Sequence, residues 1–161
     1  QPKKNVDRVI TAYQRLPQAD KPRLVVVVPG YPKAEAGTGI ELVRTPMSHE
    51  QLVPLYQGAM GFVFPSLHET FGMPIIEAMA SGCPVITSNV TACPEVAGDA
   101  AILVDPRSTD AIAEAMHRII KDQRLRQQLR EKGLQRAAQF TWRKSAEKHL
   151  KVFEKALRKK V

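Results

Sequence analysis

An alternation between short β-branched runs and longer segments of helical periodicity is the strongest constraint on the fold. Residues 24–28 read LVVVV between prolines, and further short runs typical of strands lie at 40–43, 61–65, 84–88 and 101–104. A short run that is apolar at every position is typical of a strand buried on both faces of a parallel sheet. The sequence therefore predicts an α/β fold with a doubly wound, mostly parallel sheet of about five to six strands flanked by helices.

The helical segments have recognisable start and stop signals. Residues 48–51 (SHEQ) form a capping box for a helix that ends near Gly58, and Pro74 begins a nearly all-apolar helix that ends at Gly82. A helix that is apolar on most faces is expected to be buried. Apolar periodicity predicts further helices at 5–16, 109–121, 123–138 and 142–159.

The connection between the first two strands is unusually short. Residues 29–39 are rich in Gly, Pro and Ala and show no periodicity. A parallel crossover normally needs a dozen or more residues that include a helix. The sequence leaves open whether 29–39 is a genuine loop or an incomplete segment.

Length and composition limit the classes of protein. The 161 residues, 43% of them hydrophobic, predict one domain that spans 1–161. No apolar run reaches the roughly 18 residues that cross a bilayer, and no signal-peptide pattern follows Gln1, so we expect a cytoplasmic location. Two cysteines and four dispersed histidines make a disulfide scaffold or a structural metal site unexpected.

The net charge of +8 is unevenly distributed. Residues 1–117 carry 9 Lys and Arg against 12 Asp and Glu, whereas 118–161 carry 15 against 4. The basic helices at about 123–160 are compatible with nucleic acid, but their apolar stripes are expected to pack on the sheet, and aromatic residues are not interleaved with the charges. Solvated helix faces explain the charge as well, and peripheral association with the anionic inner face of a membrane is favoured over nucleic acid.

The segment 68–77 (HETFGMPIIE) leads from a strand end into a helix N-terminus. Free N–H groups around Phe71, Gly72 and Met73, together with the helix dipole, form an anion site suited to phosphate. Glu69 and Glu77 bracket that site. Phosphate beside two carboxylates predicts a sugar nucleotide whose hydroxyls bind the carboxylates. Alternatively, Glu69 is a solvated loop residue and Glu77 stabilises the helix dipole.

This segment belongs to a longer ordered pattern. It continues through 78–89 (AMASGCPVITSN) and 94–106 (PEVAGDAAILVDP). In that order the motifs resemble the C-terminal half of family 4 retaining glycosyltransferases of the GT-B fold. The resemblance covers practically the whole chain, because it extends to 4–7 (KNVD), 55–56 (LY) and 140–142 (FTW).

The resemblance implies a Rossmann-like domain that binds a nucleotide-sugar donor. Glu69 would be the catalytic residue that contacts the transferred sugar, and Glu77 would hold the ribose hydroxyls. The implied donor-binding residues are Lys4, Glu69, Thr70, Phe71, Gly72, Met73 and Glu77. Lys4 would neutralise the diphosphate. The base would lie after the second strand, near Arg44, Thr45 and Met47.

The resemblance also implies a reaction. A retaining, metal-independent transferase without a cofactor would transfer a hexose of the mannose or glucose type from a UDP- or GDP-sugar to a glycan or lipid-linked acceptor. The acceptor-binding N-terminal domain of that family is absent from these 161 residues, so we expect this fragment to be inactive alone and that domain to be its partner. A UDP-sugar epimerase of the same architecture and a catalytically silent sugar-nucleotide-binding module are alternatives.

Overall fold

The computed structural model describes residues 2–30 and 37–158 and alternates strands with helices. The strands are β1 (Leu24–Val27), β2 (Ile40–Val43), β3 (Phe62–Phe64), β4 (Val85–Ser88) and β5 (Ala101–Val104). The helices are α1 (Val6–Gln14), α2 (His49–Gly58), α3 (Met73–Ala80), α4 (Cys93–Ala97), α5 (Thr109–Lys121), α6 (Gln123–Ala137) and α7 (Trp142–Arg158). Short 3₁₀ turns lie at Pro2–Lys4 and Gln18–Asp20.

The α/β fold class is confirmed, and every strand pairing is parallel. The strands pair in two groups, β1 with β2 and β3–β4–β5, instead of one continuous sheet. Within the described residues, β1 and β3 share no ladder of hydrogen bonds. Apolar runs indicate where strands form, but pairing depends on long-range contacts that no local pattern encodes.

Both faces of the β3–β4–β5 sheet are covered. Ile86 packs in a core with α1 and α5, whereas its neighbour Val85 packs in a second core with α3 and α4. Successive strand residues point to opposite faces of a sheet, so β4 lies between two helical layers. The first core also holds Val26 of β1 and Val104 of β5 and so joins the two strand groups.

Most helices begin and end where the sequence predicts. The Ser48 capping box is present, and α3 is buried through Ile75, Ala78 and Met79, each 0% exposed. The sequence does not predict α4, because five residues are too few to show helical periodicity. Of the 29–39 connection, residues 31–36 lie outside the described residues.

The prediction that the apolar stripes of both basic helices pack on the sheet is wrong. α6 buries Leu129, Gly133 and Ala137 and packs on α3. α7 buries no residue within the described part of the chain, and Trp142 is 88% exposed. Helical periodicity shows which face is apolar but not what covers it. Among the described residues, no helix is long and apolar enough to span a bilayer.

Candidate functional site

The segment that carries Lys4 is fixed to the carboxyl edge of the sheet by the buried Asn5. The Asn5 Nδ2 group donates to the carbonyl of Pro65, after β3, at 3.0 Å and to that of Pro106, after β5, at 2.6 Å. Asn5 adopts a left-handed conformation with φ 60°, which asparagine tolerates better than most residues. One side chain therefore joins the start of the chain to the ends of two strands.

Lys4 lies directly against the first predicted carboxylate. Its Nζ is 2.6 Å from Glu69 Oε1 and 4.7 Å from the centroid of the Phe64 ring. The Glu69 side chain is only 13% exposed. Burial strengthens this charge pair relative to one in open water, and the ring face adds attraction for the ammonium. The structure thus brings together Lys4 and Glu69, which lie 65 positions apart in sequence.

The loop between Glu69 and α3 presents free N–H groups. The Glu69 N–H donates to Thr91 Oγ1 at 3.2 Å, which fixes the start of the loop. Gly72 caps α3 with φ 97°, and a Cβ there would lie 3.0 Å from Ile75 Cδ1. No hydrogen-bond partner within the described ranges satisfies the N–H groups of residues 71–73. The helix N-terminus is therefore open to an anionic ligand.

Glu77 lies in α3 beside residues from α2. Its side chain is 24% exposed, and His49 Nδ1 is 3.7 Å from Glu77 Oε1. Burial, together with the nearby charge of Glu77, raises the pKa of Tyr56 to about 12. Among the described residues no side chain or N–H donates a hydrogen bond of ordinary length to the Glu77 carboxylate, since His49 Nδ1 lies 3.7 Å away. Its oxygens are available to accept hydrogen bonds from a ligand.

The residues predicted near the base lie in the loop between β2 and α2. Arg44 and Thr45 are exposed, and Met47 is half-buried. The capping box holds this loop to α2, because the Gln51 side chain accepts from the Ser48 N–H at 2.9 Å. The loop leads into His49 and hence to the Glu77 side of the site. Its role in base binding stays a prediction.

Two residues near the glutamates are not predicted from the sequence. The sequence places His49 in the SHEQ capping box without a site role, and it predicts no contact between Thr91 and the loop at Glu69. Thr91 has a left-handed backbone with φ 56°, which is rare for a β-branched residue and has no sequence signal. Within the described residues, no group of three or more His, Cys, Asp or Glu side chains is placed to hold a metal ion.

Residues 1–136 match the family described as "Glycosyl transferases group 1". The chain is 35% identical over 153 residues to O-antigen chain mannosyltransferase B of Escherichia coli. This match covers 88% of this chain and 40% of that protein. It is also 30% identical over 170 residues to the serotype-specific mannosyltransferase WbdA of Escherichia coli, with 98% of this chain and 21% of that protein covered.

A solved structure has the same architecture. Sucrose-phosphate synthase from Thermosynechococcus elongatus superimposes with a TM-score of 0.82 at 26% identity, over 98% of this chain and 43% of that one. The chain thus spans less than half the length of these relatives. On the family match and on the shared parallel α/β architecture, this chain belongs to the Glycosyl transferases group 1 family and has a GT-B, Rossmann-like fold.

Proposed function

We propose that this chain is the nucleotide-sugar donor-binding domain of a retaining hexosyltransferase. The observation that carries the proposal is the convergence of three groups at one edge of the sheet: the Lys4–Glu69 pair, the open N-terminus of α3 and the unsatisfied carboxylate of Glu77. Cation and N–H groups suit a diphosphate, and carboxylates suit sugar hydroxyls.

Each group has a distinct part in the proposed reaction. The N–H groups of residues 71–73 and the Lys4 ammonium hold the diphosphate and stabilise the charge that it gains as the leaving group. Glu77 accepts hydrogen bonds from the ribose hydroxyls, and Glu69 orients the hexose. The bond between the anomeric carbon and the phosphate oxygen breaks, and a bond from that carbon to the acceptor oxygen forms on the same face. The acceptor proton passes to the leaving phosphate oxygen.

The complete reaction requires a second domain that binds the acceptor, because this chain covers 40% of the E. coli mannosyltransferase. We propose that the domain precedes this one and closes a cleft over the carboxyl edge. The names of the relatives favour a mannose-type sugar, and we propose a glycan or lipid-linked acceptor. The 161 residues alone would bind donor without transferring the sugar.

Calorimetric titration of the chain with UDP, GDP and their sugars tests the donor assignment. We expect either the uridine or the guanosine nucleotides to bind. Glu77→Gln should lower their affinity about tenfold, because a charge-assisted hydrogen bond to a hydroxyl is lost. Glu114→Gln removes the same charge from an exposed position on α5 and should leave the affinity unchanged. Absence of nucleotide binding, or equal affinities for the two variants, would contradict the proposal.

We further propose that the basic face of α7 associates peripherally with an anionic membrane surface. Lys144, Lys148, Lys151 and Lys155 are exposed and recur at helical spacing, so they share one face. Each lysine near such a surface contributes about 1 kcal/mol. The proposal concerns these charges and is independent of what the apolar stripe contacts.

Sedimentation with phosphatidylglycerol vesicles at low salt measures this association. We expect the double variant Lys151→Gln/Lys155→Gln to bind roughly tenfold or more weakly, since about 2 kcal/mol of attraction is removed. Removing the same charge at Arg23 and Arg107, exposed positions outside α7, should have a smaller effect. Binding that is equal on neutral vesicles, or unaffected by salt, would contradict the association.

A further inference from the structure

We infer that Phe140 and Arg136 are positioning residues for the donor loop, which they hold through the side chain of Phe71. The inference rests on the proposed function for what the loop binds, and it concerns residues outside the site described above. Phe140 lies in the turn between α6 and α7, and Arg136 lies in the last turn of α6.

Phe71 is the point of contact on the loop side. It stands between Glu69 and Gly72, beside the free N–H groups. Its ring meets the Phe140 ring edge to face, with centroids 5.8 Å apart and planes at 79°. This geometry places the positive edge of one ring on the negative face of the other. The Phe71 side chain therefore packs against the α6–α7 turn.

Arg136 holds Phe140 in place. Its guanidinium carbon is 5.0 Å from the centroid of the Phe140 ring. Its Nε donates to the Val96 carbonyl at 3.0 Å, and a second nitrogen donates to the Glu95 carbonyl. The third nitrogen donates to Gln139 Oε1 at 2.7 Å. A guanidinium that is used on all three nitrogens acts as a brace between α6 and α4 rather than as a ligand for an anion.

A cavity lies beside the loop on the side of the Arg136 brace. A space of about 250 Å³ lies beside the loop, and its walls include Thr70, Phe71, Glu95, Arg136 and Phe140. Side chains do not fill this space, so the loop lacks continuous packing there. The contact between Phe71 and Phe140 spans the edge of the cavity and links the loop to the Arg136 brace.

The chemical consequence is specific to one part of the ligand. In the proposed function, residues 71–73 hold the diphosphate next to the sugar, whereas Glu77 holds the ribose. Loosening the loop should therefore lower the affinity for a nucleoside diphosphate sugar more than the affinity for the corresponding nucleoside monophosphate. A general loss of stability would lower both affinities together.

The test compares Phe140→Leu with Phe140→Tyr and Trp142→Leu. In Phe140→Leu the side chain stays apolar but the ring is lost, whereas Phe140→Tyr keeps the ring. Trp142→Leu is the matched control, because it removes a ring from a position that is 88% exposed. We expect Phe140→Leu to lower the affinity for the nucleotide sugar about three- to tenfold, in line with the loss of an aromatic pair. The affinity for the nucleoside monophosphate should change less than twofold, and Phe140→Tyr should restore the affinity for the nucleotide sugar.

Amide hydrogen exchange on the unliganded chain gives a second readout that needs no ligand. The amides of Glu69 and Ile75, which donate to Thr91 Oγ1 and to the Gly72 carbonyl at the two ends of the loop, should exchange faster in Phe140→Leu than in Trp142→Leu, while those of β4 stay unchanged. Arg136→Lys, which loses the three-way brace, should act in the same direction and replaces Phe140→Leu if that variant does not fold. Unchanged exchange in the loop would overturn the inference even if the wild-type chain binds donor. Absence of donor binding with faster loop exchange would instead overturn the proposed function alone.

Discussion

Replacing Asn5 by alanine is expected to lower the free energy of unfolding by roughly 3 kcal/mol or more, because two buried carbonyls lose their donor and alanine is strained at positive φ. The two acceptors are Pro65 and Pro106, and Asn5 itself is 6% exposed. Since Lys4 precedes Asn5, the affinity for donor should fall in the same variant. Urea unfolding followed by circular dichroism measures the first effect.

Two further substitutions of Asn5 separate the stability lost with the hydrogen bonds from the stability lost to backbone strain. Asn5→Gly keeps the left-handed backbone without strain and should recover about 1 kcal/mol relative to alanine. Asn5→Asp keeps the size but offers a carboxylate to two carbonyl oxygens, so it should recover none of the hydrogen-bonding loss. Asn5→Ala within about 0.5 kcal/mol of the wild type, as for an ordinary surface substitution, would refute the anchoring role.

Replacing Gly72 by alanine should cost about 1–3 kcal/mol of stability and at least about tenfold in donor affinity. The backbone cost arises because φ is 97° at this position, and the added Cβ would lie 3.0 Å from Ile75 Cδ1. The affinity falls because the methyl group sits beside the N–H groups that should hold phosphate. Thermal unfolding and calorimetry measure the two effects separately.

Gly30→Ala is a matched control for the strain at Gly72. Gly30 has φ 71°, and no described atom lies within 4 Å of the Cβ that it would gain. The Gly30→Ala variant should therefore lose stability through backbone strain alone, and its affinity for donor should be unchanged. Ile75→Val removes Cδ1 and should restore part of the stability lost in Gly72→Ala. An unchanged donor affinity in Gly72→Ala would contradict the phosphate assignment.

The parts of the fold that could be predicted are those written in local patterns. The apolar run at Leu24–Val27, the capping box at Ser48 and the Pro74 helix start each follow from neighbouring residues. The alternation of strands and helices then leads to the parallel arrangement. Local patterns carry no information on the grouping of the strands or on the exposure of the α7 stripe, because both depend on distant surfaces.

The candidate site was predictable to a similar extent. The glutamates and the glycine between them stand in one short segment, so their arrangement around α3 follows from helix geometry. The approach of Thr91 to the Glu69 N–H depends on a strained backbone conformation that threonine rarely adopts. The position of His49 beside Glu77 depends on how α2 packs on α3. The sequence alone contains no signal for either contact.

The ion pair between Lys4 and Glu69 has a consequence for ligand selection. In the unliganded chain the site supplies its own counter-ion, since the Lys4 ammonium already lies 2.6 Å from a carboxylate oxygen. Inorganic phosphate could draw Lys4 away only by leaving the half-buried Glu69 without a cation, which is costly. A ligand that carries hydroxyl groups beside its phosphates could bind both members of the pair, since its phosphates would contact Lys4 and its hydroxyl groups would donate to Glu69. If the chain binds the proposed donor, this pair should therefore favour intact sugar diphosphates over free inorganic phosphate.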